Sequence, residues 1–443
     1  WVGKFQMPQV GIIGVPLTLL KRHYDMATLD SAARARRDDV LLYLVNLQFE
    51  KRRPYRQLEP RLQRDVKAFF GDYKNARRAA QELLMDVSSH EKMLAACRYA
   101  AELGLGWLEE NHSLQLHVEL VDRLPVLLRA YVVCGLILWD STSEVQLVKI
   151  HIGSGKLTLL MFDDFDESPL PHLRRRIKIS VRKLEYEVFE YGSAEYPMPL
   201  LYWKSRYLNE DYAGYAEQLS FDEALAKEDL YADSEFGPSA KRLSTLLEQR
   251  RLEVSGFRLA PSTRVPDLDA PCGKHFTFRA FIECGETQQR TASINIPAAA
   301  ATYNALYALA VQILDPLIEY FGSIKLTYGF CSSELAKHIR RRVAPKLDQH
   351  ACHETDQRGR RICRREGAAC DFLVEDEDME EVAAWIAERL PFDRMYIYGK
   401  NKPLHVSYGP EQSRAVFSMR ETATGALLPI RLRSWRAGVA VGP

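Results

Sequence analysis

The sequence predicts an α+β protein built from several domains, and three observations point that way. The chain has 443 residues, beyond the size at which a single hydrophobic core keeps growing. Its first hundred residues place apolar side chains at helical spacing, whereas its middle and C-terminal parts mix alternating, strand-like runs with helical ones. Its composition, 47% hydrophobic and 27% charged, is that of a globular chain.

Taken in order, residues 1–110 read as a helical region. Arg37-Asp-Asp-Val-Leu-Leu-Tyr-Leu-Val and Asp65-Val-Lys-Ala-Phe-Phe keep a 3.6 period, 76–84 and 92–103 continue it, and Gly104 and Gly106 stop it. Residues 111–258 read as a mixed α/β domain. Leu124-Pro-Val-Leu-Leu-Arg-Ala-Tyr-Val-Val-Cys is a helix candidate. Gln146-Leu-Val-Lys-Ile-His-Ile and Lys156-Leu-Thr-Leu-Leu-Met-Phe flank a Gly153-Ser-Gly turn as two strands, and Arg176-Ile-Lys-Ile-Ser-Val-Arg alternates as a third. Residues 259–298, rich in Pro, Asp, Thr and Gly, read as a linker. A C-terminal domain over 299–420 follows, with a long helix at 302–321, a strand at 324–329, a helix at 376–389 and short strands at 395–398 and 404–408. Residues 421–443 read as a tail.

Charge and cysteine usage narrow the setting. A net charge of +1 selects no partner. Locally, residues 337–365 hold ten Lys or Arg against three Asp or Glu, so Arg340, Arg341, Arg342, Arg360, Arg361, Arg364 and Arg365 are candidates for contact with a nucleic-acid backbone. No apolar run reaches the roughly 18 residues of a membrane span. The eight cysteines are scattered with no CxxC pair, which suits reduced thiols. The N-terminus lacks a signal-peptide pattern. A cytoplasmic protein is expected.

Three segments carry metal-ligand residues. His350 and His353 lie in Leu347-Asp-Gln-His-Ala-Cys-His-Glu354, Asp371 in Gly367-Ala-Ala-Cys-Asp-Phe-Leu-Val, and His405 in Pro403-Leu-His-Val-Ser-Tyr-Gly. A carboxylate and imidazoles brought from separate elements are the donors of a catalytic zinc, which takes three protein ligands and a water. Cys352, Cys363 and Cys370, with His353, offer a rival closed zinc site.

These segments resemble the zinc D-Ala-D-Ala carboxypeptidases and the related hedgehog-type domains. That family carries Ser-x-His-x-x-Gly-x-Ala-x-Asp and a later His, often within His-Val-Ser. Gly367, Ala369 and Asp371 match the second half of the first motif, Gln349-His350 resembles its first half, and His405-Val406-Ser407 matches the later one. The resemblance covers about 120 residues. It implies zinc on His350, Asp371 and His405, with His353 as the alternative to His350. The sequence departs from the family in three ways. Residues 354–366 separate the halves of the first motif. Lys402 stands where the family has a carboxylate base, three residues before the last His. Gly329-Phe-Cys-Ser332 stands where an arginine is usual. Glu354 and Glu366, near the insertion's two ends, are the candidates for a relocated base.

Further segments resemble the DNA phosphorothioation-associated putative methyltransferases, over roughly residues 30–258. They include Phe162-Asp-Asp-Phe-Asp-Glu-Ser-Pro-Leu-Pro and Tyr202-Trp-Lys-Ser-Arg-Tyr. The resemblance implies a bacterial DNA-modification or phage-defence setting. It does not imply methyl transfer, because no Gly-rich strand-to-helix loop is present. Asp163, Asp164 and Asp166, with Lys149, His151 and Lys204 nearby, form a further candidate for Mg²⁺ beside phosphate. The expected function is that of a nucleic-acid-binding accessory protein with a degenerate or repurposed zinc carboxypeptidase-like domain. The alternative is a zinc hydrolase of a peptide or amide bond.

Overall fold

The computed structural model describes residues 24–49, 53–139, 144–230, 237–291, 293–339, 349–421 and 427–432. The chain is mixed α and β in two compact units. One comprises the residues up to Ala240 with 256–258, and the other comprises 241–255 and the chain from Leu259 onward. No helix among the described residues is long and apolar enough to cross a membrane.

The N-terminal unit opens with helices whose starts are written in the sequence. Asp25 caps Met26–Asn46 through the Thr28 amide, Asp72 caps Tyr73–Asp86, and Ser89 caps His90–Glu102, each side chain satisfying an amide that the helix leaves unpaired. Pro60 begins Pro60–Phe70, where its missing N–H costs nothing. Strands β1 (Trp107–Glu109), β2 (Ser113–His117), β3 (Leu147–His151), β4 (Lys156–Asp163), β5 (His172–Ser180) and β6 (Glu185–Glu190) form an antiparallel sheet in sequence order.

The helix Val126–Leu136 joins helices and sheet. It is apolar apart from Arg129, which pairs with Asp39 at 2.9 Å, as suits a helix enclosed on two sides. Ala130 and Val133 pack among the N-terminal helices, while Leu128, Tyr131, Val132 and Leu136 pack on the sheet. Gly135 permits the approach, since a Cβ there would lie 2.4 Å from Leu157. The expected boundary at residue 110 is therefore bridged by shared packing.

In the C-terminal unit, hairpin strands β7 (Leu252–Ser255) and β8 (Arg258–Pro261) and the short pair β9 (Pro271–Cys272) and β10 (Phe276–Thr277) precede the main sheet. That sheet comprises β11 (Ile324–Tyr328), β12 (Ala368–Val374), β13 (Arg394–Ile397), β14 (Leu404–Tyr408), β15 (Ala415–Glu421) and β16 (Leu427–Arg431), in the order β11-β12-β14-β13-β15-β16. Only the β13–β15 pair is parallel. One face packs on the helix Ala300–Leu309 and its continuation, and on Met379–Arg389. The continuation passes through a π turn at Ala310–Leu314 into Asp315–Phe321. Pro316, which has no N–H to extend an α ladder, follows that turn.

Two expectations need correction. Residues 259–298 are not a linker. They contain the helices Phe278–Glu283 and Glu286–Thr291, and Cys272, Phe278, Phe281 and Ile282 are buried in the core of the C-terminal unit. The polar composition reflects turns, while Phe278, Phe281 and Ile282 keep the i, i+3, i+4 spacing of a buried helical face. The tail is also structured in part, because β16 pairs with β15; residues 433–443 lie outside the described residues.

Phe281→Ala should therefore lower stability by about 3–5 kcal/mol in denaturant titration, where a linker residue would change it by less than about 0.5 kcal/mol. A second expectation concerns Lys204, which is buried and donates to the Phe165 and Ser168 carbonyls. Burial pushes its pKa down to about 8. Between that pH and the ordinary lysine range the unfolded chain holds the extra proton. This lysine's contribution to stability therefore rises with pH across that window, by roughly 1–3 kcal/mol. The stability difference between wild type and Lys204→Met, measured from pH 7.5 to 10.5, should rise accordingly; a flat difference would contradict it.

Candidate metal centre

The site is built on the sheet face turned away from the helices. Along β12 and β14, Cys370, Phe372, Leu404 and Val406 enter the core, so the alternating residues Asp371 and His405 project from the other face. They are direct cross-strand partners, which brings their side chains together.

His350 comes from outside the sheet, on the short turn Gln349–Ala351. Its ring is aimed by Nδ1, 2.7 Å from the Gly329 carbonyl. That oxygen only accepts, so Nδ1 carries the proton and Nε2 presents its lone pair. The carbonyl is itself fixed. The Phe330 amide donates to the Phe281 carbonyl at 2.8 Å, and a Cβ on Gly329 would lie 2.3 Å from that same oxygen. Buried Asn295 donates to the Ile282 and Phe330 carbonyls and accepts from the Ser332 amide. The stretch expected as a linker is thus the support that orients His350.

Three donor atoms converge. His350 Nε2 lies 3.2 Å from His405 Nδ1 and 3.4 Å from Asp371 Oδ1, and His405 Nδ1 lies 2.8 Å from Asp371 Oδ1. Both rings are buried, while a quarter of the Asp371 side chain is exposed, so the group opens on the carboxylate's side. With the His350 Nδ1 proton held by Gly329, neutral rings leave one proton for three atoms. A lone pair of His350 then faces the carboxylate. Burial works to raise the Asp371 pKa, and the lowering that outweighs it belongs to a protonated His350, whose charge and Nε2–H would face the carboxylate, together with the hydrogen bond from His405. A cation removes the conflict. Ligands at about 2.0–2.1 Å with tetrahedral angles are roughly 3.3–3.4 Å apart, which two edges of the triangle match, while the His405–Asp371 edge at 2.8 Å would open on binding. The group could hold a metal ion.

The other expected site residues lie elsewhere or have other partners. His353 Nε2 accepts from the Gly367 amide at 3.3 Å, and burial together with the Arg361 charge lowers its pKa; His350, not His353, joins the triad. Glu354 is not placed as a base. Its carboxylate accepts from the Ala298 and Ala299 amides and the Thr302 hydroxyl, at the start of the helix Ala300–Leu309. Glu366 pairs with Arg361 near the surface, and Lys402 is exposed in a turn. Cys352, Cys363 and Cys370 are buried, but among the described residues they form no metal-binding group with His353.

Of the basic candidates, Arg340, Arg341 and Arg342 lie outside the described residues. Arg360 pairs with Asp356 and Arg361 with Glu366, leaving Arg364 exposed and Arg365 half-buried. The acidic candidates in the N-terminal unit do not converge either. Asp163 pairs with Arg174, Asp164 faces His172, and Asp166 accepts from the Tyr212 hydroxyl. Lys149 pairs with Glu109, and His151 meets Thr158. Sequence reasoning missed the supporting role of Gly329 and Asn295. It also missed Tyr328 and Tyr396, whose rings lie edge-on to His350 and His405 at 4.5 and 5.1 Å. Only strand register reveals the tyrosines.

Searches of protein-family models, curated proteins and solved structures find no match to this chain.

Gly329→Ala should weaken divalent-metal binding about 10–100-fold by moving the carbonyl that orients His350, as read by competition with a chromophoric chelator. Glu354→Ala should leave that affinity within about twofold of wild type while lowering stability by about 1–2 kcal/mol through the lost helix cap. Loss of metal in the second variant would return Glu354 to the site.

Proposed function

We propose that the C-terminal unit is a degenerate or repurposed zinc carboxypeptidase-like domain that holds zinc through His350, Asp371 and His405; the alternative reading is a zinc hydrolase of a peptide or amide bond. The observation that carries this reading is the triangle of two imidazole nitrogens and a carboxylate oxygen, closed on the ring side and open on the carboxylate side. Three protein ligands with one open direction are the arrangement of a catalytic rather than a structural zinc. The resemblance of the same segments to the zinc D-Ala-D-Ala carboxypeptidases and hedgehog-type domains supports zinc over iron(II), which also takes two imidazoles and a carboxylate.

Zinc, when bound, supplies a Lewis acid and a water-derived nucleophile near neutral pH. The chain's own residues orient and shield. Gly329 fixes the His350 tautomer, the two buried rings exclude water from one side, and Asp371 offsets the ion's charge. No carboxylate stands at the family's base position, because Lys402 occupies it. A charged lysine cannot take a proton there.

The setting we propose is a bacterial DNA-modification or phage-defence system, in which the protein is an accessory that contacts nucleic acid in the cytoplasm. Support comes from the N-terminal segments that resemble phosphorothioation-associated proteins and from the basic stretch at 337–365.

Purified chain should carry about one zinc by elemental analysis, and Asp371→Ala should reduce this to under about 0.1; iron in place of zinc would overturn the metal assignment. Turnover of D-Ala-D-Ala should be slight even with zinc added, because a positioned acid–base group contributes about 10²–10⁴-fold. Robust turnover lost in Glu366→Ala would show a relocated base instead. DNA binding, if this setting holds, should weaken as salt rises, with a slope of about −0.9 per neutralised phosphate on duplex; no DNA binding at low salt would remove it.

A further inference from the structure

The sheet face that carries the triad also carries an arginine, Arg394, whose Nε has no hydrogen-bond partner. Register sets Tyr328, Asp371, His405, Tyr396 and Phe417 in one row across β11, β12, β14, β13 and β15. Arg394 precedes Tyr396 by two residues on β13, so it shares that face. From ordinary strand spacing and rise, its backbone stands roughly 8 Å from that of His405. Among the described residues it has no ion pair, and its Nε is buried without a hydrogen-bond partner.

A half-buried guanidinium in this state needs explanation, because buried polar groups are nearly always paired. One contact accounts for part of its position. Its Cζ lies 5.8 Å from the Phe417 ring centroid, and that ring stacks on Tyr396 at 4.9 Å with 13° between planes. The shut-in atom is Nε. The two terminal nitrogens are neither buried without a partner nor hydrogen-bonded among the described residues, and this pair can grip an oxyanion in a two-pronged fork.

We propose that Arg394 is a specificity-determining residue that binds an oxyanion group, carboxylate or phosphate, carried by the ligand of the metal centre. In the row, Tyr396 stands between His405 and Phe417, so the group recognised beside Phe417 lies about one side chain away from the bond presented to the metal. This rests on the reading of the triad as a metal site. It differs from the related carboxypeptidases in position: their arginine belongs to the segment that here reads Gly329-Phe-Cys-Ser332, which has none.

The test uses the full chain and three small probes sharing one amide: N-acetylglycine, its phosphonate counterpart N-acetylaminomethylphosphonate, and neutral N-acetylglycinamide. Binding is measured by calorimetry at low salt, on zinc-loaded and zinc-free chain, with metal content determined on the same samples. At least one anionic probe should bind about tenfold or more tightly than the neutral one, a difference of about 1.4 kcal/mol, and Arg394→Gln should abolish that preference without changing zinc content. Which anion is preferred identifies the carboxylate or the phosphate source. Equal binding of all three probes, or a preference that survives Arg394→Gln, overturns the proposal. If Arg394→Gln does not fold, Arg394→Lys decides, since it keeps the charge and loses the fork: a preference reduced at least about threefold supports the proposal, and an unchanged one overturns it. A preference seen on a chain that takes up no zinc supports Arg394 and sinks the zinc reading alone.

Discussion

Three basic atoms within 3.4 Å of one another cannot be satisfied by a single proton, and a group so placed could hold a metal ion. The β12–β14 register sets Asp371 opposite His405. The Gly329 carbonyl removes the one tautomer of His350 that would relieve the conflict by donating from Nε2. An isolated buried carboxylate would tend to take up a proton. The two imidazoles facing Asp371 counter that tendency once a proton or a metal ion lies between them and the carboxylate.

The support reaches further than the ligands. Gly329 can approach the Phe281 carbonyl only because it lacks a Cβ, and Asn295 ties the same strand end to the helix Phe278–Glu283. The helix is in turn anchored by Phe278 and Phe281 in the core. Packing energy in a segment outside the motifs is thereby converted into orientation of an imidazole. That coupling is why outer partners of metal ligands matter nearly as much as the ligands.

The legible and illegible parts of the sequence divide by range. Apolar periods and turn residues are local, so the helical runs within 37–103 and the strands at 147–163 could be read directly, whereas the caps Asp25, Asp72 and Ser89 were not picked out. Asp371 and His405 were legible through short strings, Gly367-Ala-Ala-Cys-Asp and His405-Val-Ser. His350 was harder, because the insertion separates it from Asp371, and His353 stood as its alternative; the Gly367 amide engages His353 instead. Residues 259–298 were misread because turn-rich composition masked a three-residue helical face. Glu354 looked available for chemistry because nothing local shows that a carboxylate will cap a helix beginning at residue 300, which precedes it in the chain. Arg394 and Tyr396 gained meaning only from the order β12-β14-β13, in which β13 and β14 exchange places relative to the sequence.

The central claim, a metal bound by His350, Asp371 and His405 and not by the neighbouring cysteines, is tested most directly by zinc-edge X-ray absorption on the purified chain. The account predicts a first shell of nitrogen and oxygen only, at about 2.0–2.2 Å, with the outer-shell signal of two imidazoles. A sulfur shell at about 2.3 Å, the distance of a thiolate ligand, would contradict it and move the metal to the cysteines.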